Sequence, residues 1–381
     1  MKDSTKFTHL GRPKPNEGTP VNMDISRAST LLFADAGDLY QTKQRSYGRH
    51  GSAVHDALEA LFCELEGGHG CALTPSGLSA CTLAILSCVK AGDHVLLTDS
   101  IYGPTRDFCL RFLKSFGVQT ERFDPRMGLD IQNLVRPNTT AIILESPGSL
   151  TFEIQDIPAI KKATQERDIK LIVDNTWSAG LSYKPLDLGA DISIHAATKY
   201  IGGHSDIMFG AVISREADMS ARVAFTRKLL GLATSPDDAY HILRGFRTLP
   251  TRFWAQEKTS ESLARWLKSQ DFVIDVLHPA LPSHPDHDIW KRDFSGGGSL
   301  FGVVLHKTTQ EAVISFLNEL KLFGLGFSYG GYESVAIHCD PQLKREFKPD
   351  FGGPLIRLGC GLEDIEDLKN DIIQSAKRSF L

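Results

Sequence analysis

The sequence predicts an α/β domain with a mostly parallel sheet, followed by a smaller C-terminal α+β domain. Three observations lead to this prediction. Short apolar runs alternate with helical runs through roughly the first two thirds of the chain, which is the pattern of an α/β domain. Several of these runs are apolar without interruption, as strands are when both faces of their sheet are covered. Beyond about residue 245 the pattern changes to one long helix followed by separate strands.

The larger predicted domain consists of helices and strands that alternate along the chain. A helix begins after Ser52, because Val54, Leu58 and Leu61 fall on one helical face, and Gly67 ends it. A second helical run follows over residues 80–89. Strands are predicted where apolar residues cluster, at residues 95–98, 118–123, 141–145, 171–174, 192–195 and 211–214.

The smaller predicted domain begins near residue 246. A long helix at 252–268 leads to strands at 272–277, 299–305, 334–338 and 355–358, and an amphipathic helix covers 365–376. Residues 1–50 show no sustained periodicity, and such an arm cannot bury itself well alone. We therefore expect it to lie on a neighbouring subunit. The predicted division is an arm at 1–50, an α/β domain at 51–245 and an α+β domain at 246–381.

Lys199 is the most informative residue of the chain. It lies in the run DISIHAATKYIGGHSD at residues 191–206, where a strand breaks into a polar loop that contains glycine. A lysine delivered there is well placed as an amine inside a cleft, where it can form a Schiff base with a carbonyl compound. Pyridoxal phosphate is the commonest such compound. Taken alone, the pattern is also typical of a surface lysine after a buried strand.

Asp174 ends a short, fully apolar run that reads as a buried parallel strand. Ligands bind outside the carboxyl ends of such strands, so Asp174 and Lys199 are expected on the same side of the sheet. An aspartate there suits the pyridine nitrogen of pyridoxal phosphate, because its charge keeps that nitrogen protonated and the ring able to accept electrons. By itself, Asp174 could equally be a helix cap or a turn residue.

The segment TPSGLSA at residues 74–80 is a candidate phosphate-binding loop. Gly77 lets the backbone approach a ligand closely, and the free N–H groups at the start of a helix attract anions. Thr198 could add a hydroxyl beside Lys199. The alternative is an ordinary helix cap by Ser76.

These residues belong to a set of motifs that resembles the Cys/Met-metabolism group of fold-type I pyridoxal-phosphate enzymes. The resemblance runs from about residue 47 to about residue 368. Besides the Lys199 run, its motifs are YGRHG at 47–51, ELEGG at 64–68, ESPGS at 145–149, VDNTW at 173–177, SYGGYES at 328–334 and LIRL at 355–358. It implies a fold-type I large domain with a mostly parallel, seven-stranded sheet.

The resemblance also implies which residues bind the cofactor. Lys199 matches the lysine that carries the cofactor and moves protons, Asp174 the partner of its pyridine nitrogen, and Tyr102 the tyrosine stacked on its ring. The positions that match phosphate ligands are Gly77, Leu78 and Thr198 in the same subunit and Tyr47 and Arg49 from a neighbouring one. The implied assembly is a homotetramer of two dimers with shared active sites.

The substrate positions follow in the same way. Arg357 matches the arginine that holds the substrate α-carboxylate, and a guanidinium suits that task because it binds a carboxylate with two parallel hydrogen bonds. Ser328 and Tyr329 lie at substrate-binding positions. Many relatives have serine where this chain has Ala196, so one phosphate hydroxyl is absent. Tyr329 stands where β-lyases often have tryptophan and γ-acting relatives a smaller aliphatic residue, and an aromatic side chain there favours the β-lyase branch.

The implied activity is β-elimination of L-cystathionine to L-homocysteine, pyruvate and ammonia, a step in methionine biosynthesis, with cystine and cysteine as further candidate substrates. Two alternatives stay open at this point. One is a γ-acting relative, such as cystathionine γ-synthase, cystathionine γ-lyase or methionine γ-lyase. The other is a protein that binds pyridoxal phosphate for a regulatory or interaction role with little turnover.

Composition favours an enzyme of the cytoplasm. The net charge of -4 over 381 residues gives no reason to expect nucleic acid or an anionic membrane as a partner. No apolar run approaches the roughly 20 residues that cross a bilayer, and no signal-peptide core follows the first residues. The 7 cysteines show no Cys-x-x-Cys spacing, as expected in a reducing compartment. His284 and His287 lie in a proline-containing loop, so no metal site is expected there.

Overall fold

The fold, seen in a computed structural model that describes residues 1–16, 18–40 and 45–380, is built on two sheets. The larger sheet has seven strands in the order β1-β7-β6-β5-β4-β2-β3. Its strands are β1 Gly70–Thr74, β2 His94–Thr98, β3 Gln119–Phe123, β4 Thr139–Glu145, β5 Lys170–Asp174, β6 Ile192–His195 and β7 Gly210–Ser214. Strands β2 to β6 pair in parallel, whereas β7 pairs antiparallel with both of its neighbours, β1 and β6. The predicted fold class is confirmed.

Both faces of the central strands of this sheet are buried, which explains why these strands read as apolar runs. Leu171 and Val173 belong to the core on one face, whereas Ile172 between them belongs to the core on the other. Side chains alternate across a strand, so a strand covered on both sides needs apolar residues at every position.

Strand β1 is the strand of this sheet that the sequence pattern missed. Its sequence, GCALT, has weak strand propensity and resembles a loop. Its strand conformation depends on antiparallel pairing with β7, from Gly70 opposite Ser214 to Thr74 opposite Gly210. Hydrogen bonding to a strand about 140 residues away in the sequence stabilises β1, although its local strand propensity is weak.

The described part of the chain also forms α-helices. They are α1 Asp3–His9, α2 Ala53–Glu66, α3 Gly77–Leu86, α4 Gly103–Asp107, α5 Ile157–Thr164, α6 Ala217–Leu229, α7 Pro236–Phe246, α8 Leu249–Leu267, α9 His287–Asp293, α10 Gln310–Glu319 and α11 Ile365–Ser379. A π-helical turn, Phe108–Leu113, continues α4. In the described part of the chain, no helix is long and apolar enough to cross a membrane.

Helix α3 begins three residues before its predicted start. Ser76 caps it: the Ser76 hydroxyl accepts a hydrogen bond from the Ser79 N–H at 3.1 Å, and the Ser79 hydroxyl accepts one from the Ser76 N–H at 2.9 Å. This reciprocal pair satisfies N–H groups that the first turn would otherwise leave free. The cap places Gly77 inside the first turn.

The smaller sheet has five strands in the order β10-β11-β12-β9-β8. They are β8 Val273–Leu277, β9 Leu300–Leu305, β10 Gly324–Leu325, β11 Val335–His338 and β12 Leu355–Gly359. The four longer strands lie within two residues of their predicted limits, and α8 and α11 lie within three. Strand β10, of two residues, was not predicted.

The start of the N-terminal arm packs against its own subunit. Phe7 is buried and contacts the Phe246 ring edge to face, with 5.7 Å between ring centroids. Arg247 donates hydrogen bonds to the carbonyl oxygens of Phe7 and Leu10 at 2.6 and 2.7 Å. Helix α1 is therefore held by its own chain at the end of α7, which differs from the expectation that the whole arm lies on a neighbour.

Candidate active site

The candidate site is a cavity of about 690 Å³ at the carboxyl ends of the central strands. Glu145 ends β4 and pairs in register with Asp174, which ends β5, and Asp174 in turn pairs with Ile194 on β6. The loop after β6 then brings Lys199 into the same cavity. Because parallel strands end at one edge of a sheet, residues far apart in sequence meet there.

Lys199 lies in this cavity as a partly buried amine. Its Nζ donates a hydrogen bond to the Ser328 hydroxyl at 2.8 Å and lies 5.2 Å from the centroid of the Tyr329 ring. Burial, followed by the positive charge of Arg357, lowers the pKa of Lys199 to about 8, against the opposing effect of Asp174. The side chain can thus lose its proton near neutral pH, as an amine that attacks a carbonyl or accepts a proton must.

Asp174 is held in place by a chain of hydrogen bonds to the neighbouring loop. Its Oδ1 accepts hydrogen bonds from the Thr176 N–H at 3.1 Å and the Thr176 hydroxyl at 2.6 Å. The Thr176 hydroxyl also accepts from the Ala196 N–H at 2.9 Å. The Cys81 thiol lies 3.6 Å from Oδ2 of Asp174. Thr176, which the sequence reasoning missed, connects the loop after β5 to the loop that carries Lys199.

Gly77 leaves room where helix α3 meets that loop. A Cβ atom at this position would lie 2.4 Å from the Cβ and 2.9 Å from the Cα of Ala196, which is closer than atoms can pack. The start of α3 therefore approaches the Lys199 loop closely, and its first residues, Gly77 and Leu78, line the cavity, where the free N–H groups of a helix start can bind an anion. Thr198 also lines the cavity, but its hydroxyl binds the backbone of Phe209 at 2.9 and 3.2 Å.

Tyr102 and Glu145 form another part of the wall. The Tyr102 N–H donates to Oε2 of Glu145 at 2.6 Å, and the Tyr102 side chain is nearly half exposed. Burial, and then the charge of Asp174, raises the pKa of Glu145 well above its ordinary range. Burial, and then Glu145, raises the pKa of the Tyr102 hydroxyl. Sequence reasoning quoted the ESPGS motif but did not single out Glu145, although an acid at the end of a buried strand gives the same signal as Asp174.

Arg357 enters the cavity from β12 of the smaller sheet. It is buried, and its Nη2 donates to the carbonyl oxygen of Ser328 at 3.2 Å. Its guanidinium carbon lies 6.0 Å from the centroid of the Tyr329 ring. Ser328 adopts a φ of 129°, which is unusual for a residue other than glycine and is kept only where the surroundings fix it. Ser328 thus contacts both Lys199, by its hydroxyl, and Arg357, by its carbonyl.

Tyr47 and Arg49 lie away from the cavity of their own chain. Tyr47 is 42% exposed, and the guanidinium carbon of Arg49 lies 5.1 Å from the centroid of its ring. Of the predicted site residues, these two are the ones that this chain does not bring to the cavity, whereas the other nine line it. Among the described residues there is no group of three or more His, Cys, Asp and Glu side chains that could hold a metal ion.

The side chains present fit pyridoxal phosphate. Lys199 provides a buried amine, Asp174 a carboxylate at the end of a strand, and Gly77 a close approach for a group bound at a helix start. The close approach of Gly77 to Ala196 shows that the first turn of α3 and the Lys199 loop form one wall. Lys199, Asp174 and the first turn of α3 would hold the aldehyde, the pyridine nitrogen and the phosphate, respectively.

Comparison with known proteins identifies the relatives of this chain. The family model of Cys/Met metabolism PLP-dependent enzymes matches residues 4–377. The chain is 44% identical over 374 residues to a putative cystathionine β-lyase of Rhizobium johnstonii, covering 97% of this chain and 94% of that protein. It is 41% identical over 384 residues to cystathionine β-lyase MetC of Escherichia coli, covering 97% of both.

Solved structures give the same picture. The chain superposes with a TM-score of 0.92 and 28% identity on a cystathionine γ-synthase of Xanthomonas oryzae pv. oryzae, which was solved in complex with aminoacrylate and cysteine. That similarity covers 100% of this chain and 98% of the other.

Proposed function

The chain belongs to the Cys/Met metabolism PLP-dependent enzymes and is a carbon–sulfur lyase with pyridoxal phosphate as its cofactor, and from this premise we propose that it cleaves L-cystathionine to L-homocysteine, pyruvate and ammonia. The observation that carries the proposal is the arrangement around Ser328. Lys199 Nζ binds its hydroxyl at 2.8 Å, and Arg357 binds its carbonyl at 3.2 Å. A base and a carboxylate-binding group are thereby held side by side, as removal of a proton from the α-carbon of an amino acid requires.

Each residue has a separate role in the proposed reaction. Arg357 binds the substrate α-carboxylate, which fixes the α-carbon near Lys199. Pyridoxal phosphate, when bound, supplies a ring that accepts the electrons left behind by the departing proton. The Lys199 amine accepts the Cα proton, the Cβ–S bond breaks, and Lys199 or Tyr102 donates a proton to the leaving sulfur. Water then hydrolyses the remaining three-carbon fragment to pyruvate and ammonia.

A γ-acting enzyme is the second candidate, and the likeness to cystathionine γ-synthase is the observation that favours it. Elimination at Cγ needs proton transfers at Cβ as well, which leads to 2-oxobutyrate in place of pyruvate. The β assignment is supported by the two β-lyase relatives at 41% and 44% identity, against 28% for the γ-synthase.

The keto-acid product tests the proposal directly. Purified holoenzyme is incubated with L-cystathionine, and pyruvate, 2-oxobutyrate and homocysteine are quantified. We expect pyruvate and homocysteine in equal amounts. 2-Oxobutyrate as the main product would assign a γ-acting enzyme, and no keto acid above the Lys199→Ala background would favour a binding role. Parallel assays with cystine and cysteine define the range of β-substituted substrates.

We further propose a homotetramer of two dimers in which Tyr47 and Arg49 complete the phosphate site of the neighbouring subunit. The support is their position: both lie outside the cavity of their own chain, and Tyr47 exposes 42% of its surface. An arginine from a neighbour would add charged donors to those of the α3 start.

We also propose that the protein works in the cytoplasm. All seven cysteines are free thiols, and five of them are buried, namely Cys81, Cys88, Cys109, Cys339 and Cys360. A chain that relies on buried free thiols and uses none for cross-linking suits a reducing compartment. Fractionation of cells that express the chain at native level tests this placement.

A further inference from the structure

A second cationic group lines the same cavity and comes from other elements than Arg357. It consists of Arg106, on α4 one turn after Tyr102, and Lys344, in the segment between β11 and β12; we call them the outer cation pair. Neither residue has a part in the chemistry derived above. Arg106 is a buried residue with 8% of its surface exposed, whereas Lys344 is exposed.

The Arg106 guanidinium makes only two long polar contacts among the described residues. Its Nη1 lies at 3.5 Å from the carbonyl oxygen of Lys344, at the limit for a hydrogen bond. Its Nε lies 3.5 Å from a carboxylate oxygen of Asp107, whose side chain is 53% exposed. A guanidinium has five N–H donors, and removing it from water without partners is costly. Such a group is expected to face an anion when the cavity is filled.

The other buried arginines provide the comparison. Arg252 donates to the carbonyl oxygens of Tyr200, Ile201 and Gly245 at 2.6, 3.3 and 2.9 Å, so its charge is fully used within the fold. Arg357, in contrast, has one backbone contact, at 3.2 Å, and lines the cavity. Arg106 resembles Arg357 in both respects and differs from Arg252.

We propose that the outer cation pair binds a second carboxylate, at the far end of the leaving half of the substrate. This inference rests on the proposed function, because L-cystathionine carries an α-carboxylate at each end. Arg357 and Lys199 both bind Ser328, at 3.2 and 2.8 Å, so Arg357 marks the end of the cavity where the bond breaks. Arg106 and Lys344 line the cavity from α4 and from the segment between β11 and β12, and in this proposal they face the homocysteine half. Their charges make the enzyme selective for thioethers that end in a carboxylate.

Two substrate analogues separate the carboxylate from the rest of the leaving group. S-(3-carboxypropyl)-L-cysteine keeps the distal carboxylate and lacks the distal amine, whereas S-(3-aminopropyl)-L-cysteine keeps the amine and lacks the carboxylate. For Arg106→Gln, we expect kcat/KM to fall about 10- to 100-fold for L-cystathionine and the carboxypropyl compound, the loss of one charge-assisted contact. For the aminopropyl compound we expect less than about a threefold change.

Control variants keep the test decisive. Arg111→Gln removes an exposed arginine from the adjoining π-helical turn and should leave kcat/KM unchanged for all three substrates. Arg106→Lys should recover part of the lost selectivity. Lys344→Met changes an exposed position and should lower kcat/KM for L-cystathionine and the carboxypropyl compound. This variant tests the proposal even if Arg106→Gln does not fold. Equal losses on all three substrates, or no loss on any, would overturn the inference.

Failure of the proposed function gives a different result. If wild-type enzyme forms no pyruvate from L-cystathionine, the substrate assignment is wrong. Binding of the analogues then tests whether Arg106 recognises the distal carboxylate, because the change in cofactor absorbance on adding each analogue gives its Kd. A carboxypropyl analogue that binds no better to wild type than to Arg106→Gln would reject the outer cation pair independently of turnover.

Discussion

At the scale of single residues, the site depends on groups whose ordinary chemistry is altered by burial. Lys199 is the clearest case, because burial and Arg357 lower its pKa from 10.5 to about 8. Glu145 shows the opposite effect, since burial and Asp174 raise its pKa well above the ordinary value. Burial disfavours the charged form of both groups, so an amine becomes a better base and a carboxyl group a weaker acid.

The lowered pKa of Lys199 predicts the pH dependence of turnover. The amine must be unprotonated to accept the Cα proton, and its unprotonated fraction increases as pH rises toward and past about 8. We therefore expect kcat to increase with pH on the acidic side and to level off above about pH 8, rather than near 10.5. The kcat–pH profile with saturating L-cystathionine measures this. A rate that is flat between about pH 6 and 9 would show that another group limits proton transfer.

Arg357 predicts a defect in substrate binding that spares the cofactor. Arg357→Leu removes the group expected to bind the α-carboxylate, and loss of one charge-assisted pair costs about 1.5–3 kcal/mol. We expect KM to increase about 10- to 100-fold with the cofactor absorbance unchanged. Steady-state kinetics together with the absorption spectrum of the purified variant test both parts. If the variant loses the cofactor and keeps its KM, Arg357 belongs to the phosphate site.

At the scale of elements, the site is organised by loops that hold one another in place. Glu66 at the end of α2 is an example: it is fully buried, accepts a hydrogen bond from Asn175 Nδ2 at 2.8 Å and binds His195 Nε2. Asn175 follows Asp174 directly, and His195 ends the strand that leads to Lys199. One helix end therefore supports both loops from behind the cavity, which favours a preorganised site.

The contact between α3 and the Lys199 loop predicts the effect of a single added methyl group. In Gly77→Ala the new Cβ would lie 2.9 Å from the backbone Cα of Ala196, so the loop or the helix must move. Overpacking of this kind typically costs 1–3 kcal/mol. We expect the apoprotein to bind pyridoxal phosphate about tenfold more weakly or worse, as measured by absorbance titration.

A second glycine provides the control for this experiment. At Gly324, on the exposed edge strand β10, the nearest atom to an added Cβ is 3.8 Å away. Gly324→Ala should leave cofactor affinity unchanged. Equal affinities for the Gly77 and Gly324 variants would mean that the α3 start does not hold the phosphate.

At the scale of the whole molecule, the two ends of the N-terminal arm have different surroundings. Helix α1 packs against its own chain through contacts of Phe7 with Phe246 and Arg247, whereas Tyr47 and Arg49 do not line the cavity of their own chain. The predicted domain limits at residues 50 and 245 stay predictions, since the α8 helix, Leu249–Leu267, contacts both α7 and the second sheet.

The proposed sharing of active sites predicts complementation between inactive variants. In a mixed dimer of Arg49→Ala and Lys199→Ala subunits, one site receives Lys199 from the first subunit and Arg49 from the second and is complete. We therefore expect mixing, under conditions that exchange subunits, to restore pyruvate formation. Mixing Asp174→Ala with Lys199→Ala is the matched control, because both residues serve the site of their own chain and no complete site can form. Activity restored in neither mixture would mean that each chain builds its own phosphate site.

The sequence alone determined the positions of six of the seven strands of the larger sheet, and it predicted that Lys199 and Asp174 lie at the same edge of that sheet, where both line the cavity. It could do so because these signals are local: a strand covered on both faces is apolar throughout, and a ligand-binding residue follows where such a strand ends. The cap at Ser76 and the stop at Gly67 are equally local, since each depends on the nearest turn of backbone.

The tertiary structure decided everything that depends on distant partners. Strand β1 exists because β7 pairs with it, and Ser328 meets Lys199 across 129 residues of sequence. Arg106 and Lys344 meet across 238, which no periodicity encodes. Local propensity selects helices and strands. Which partners a buried polar group finds is decided only when the chain packs, because those partners come from distant parts of the sequence. The buried charged residues around this cavity therefore could not be predicted from local patterns.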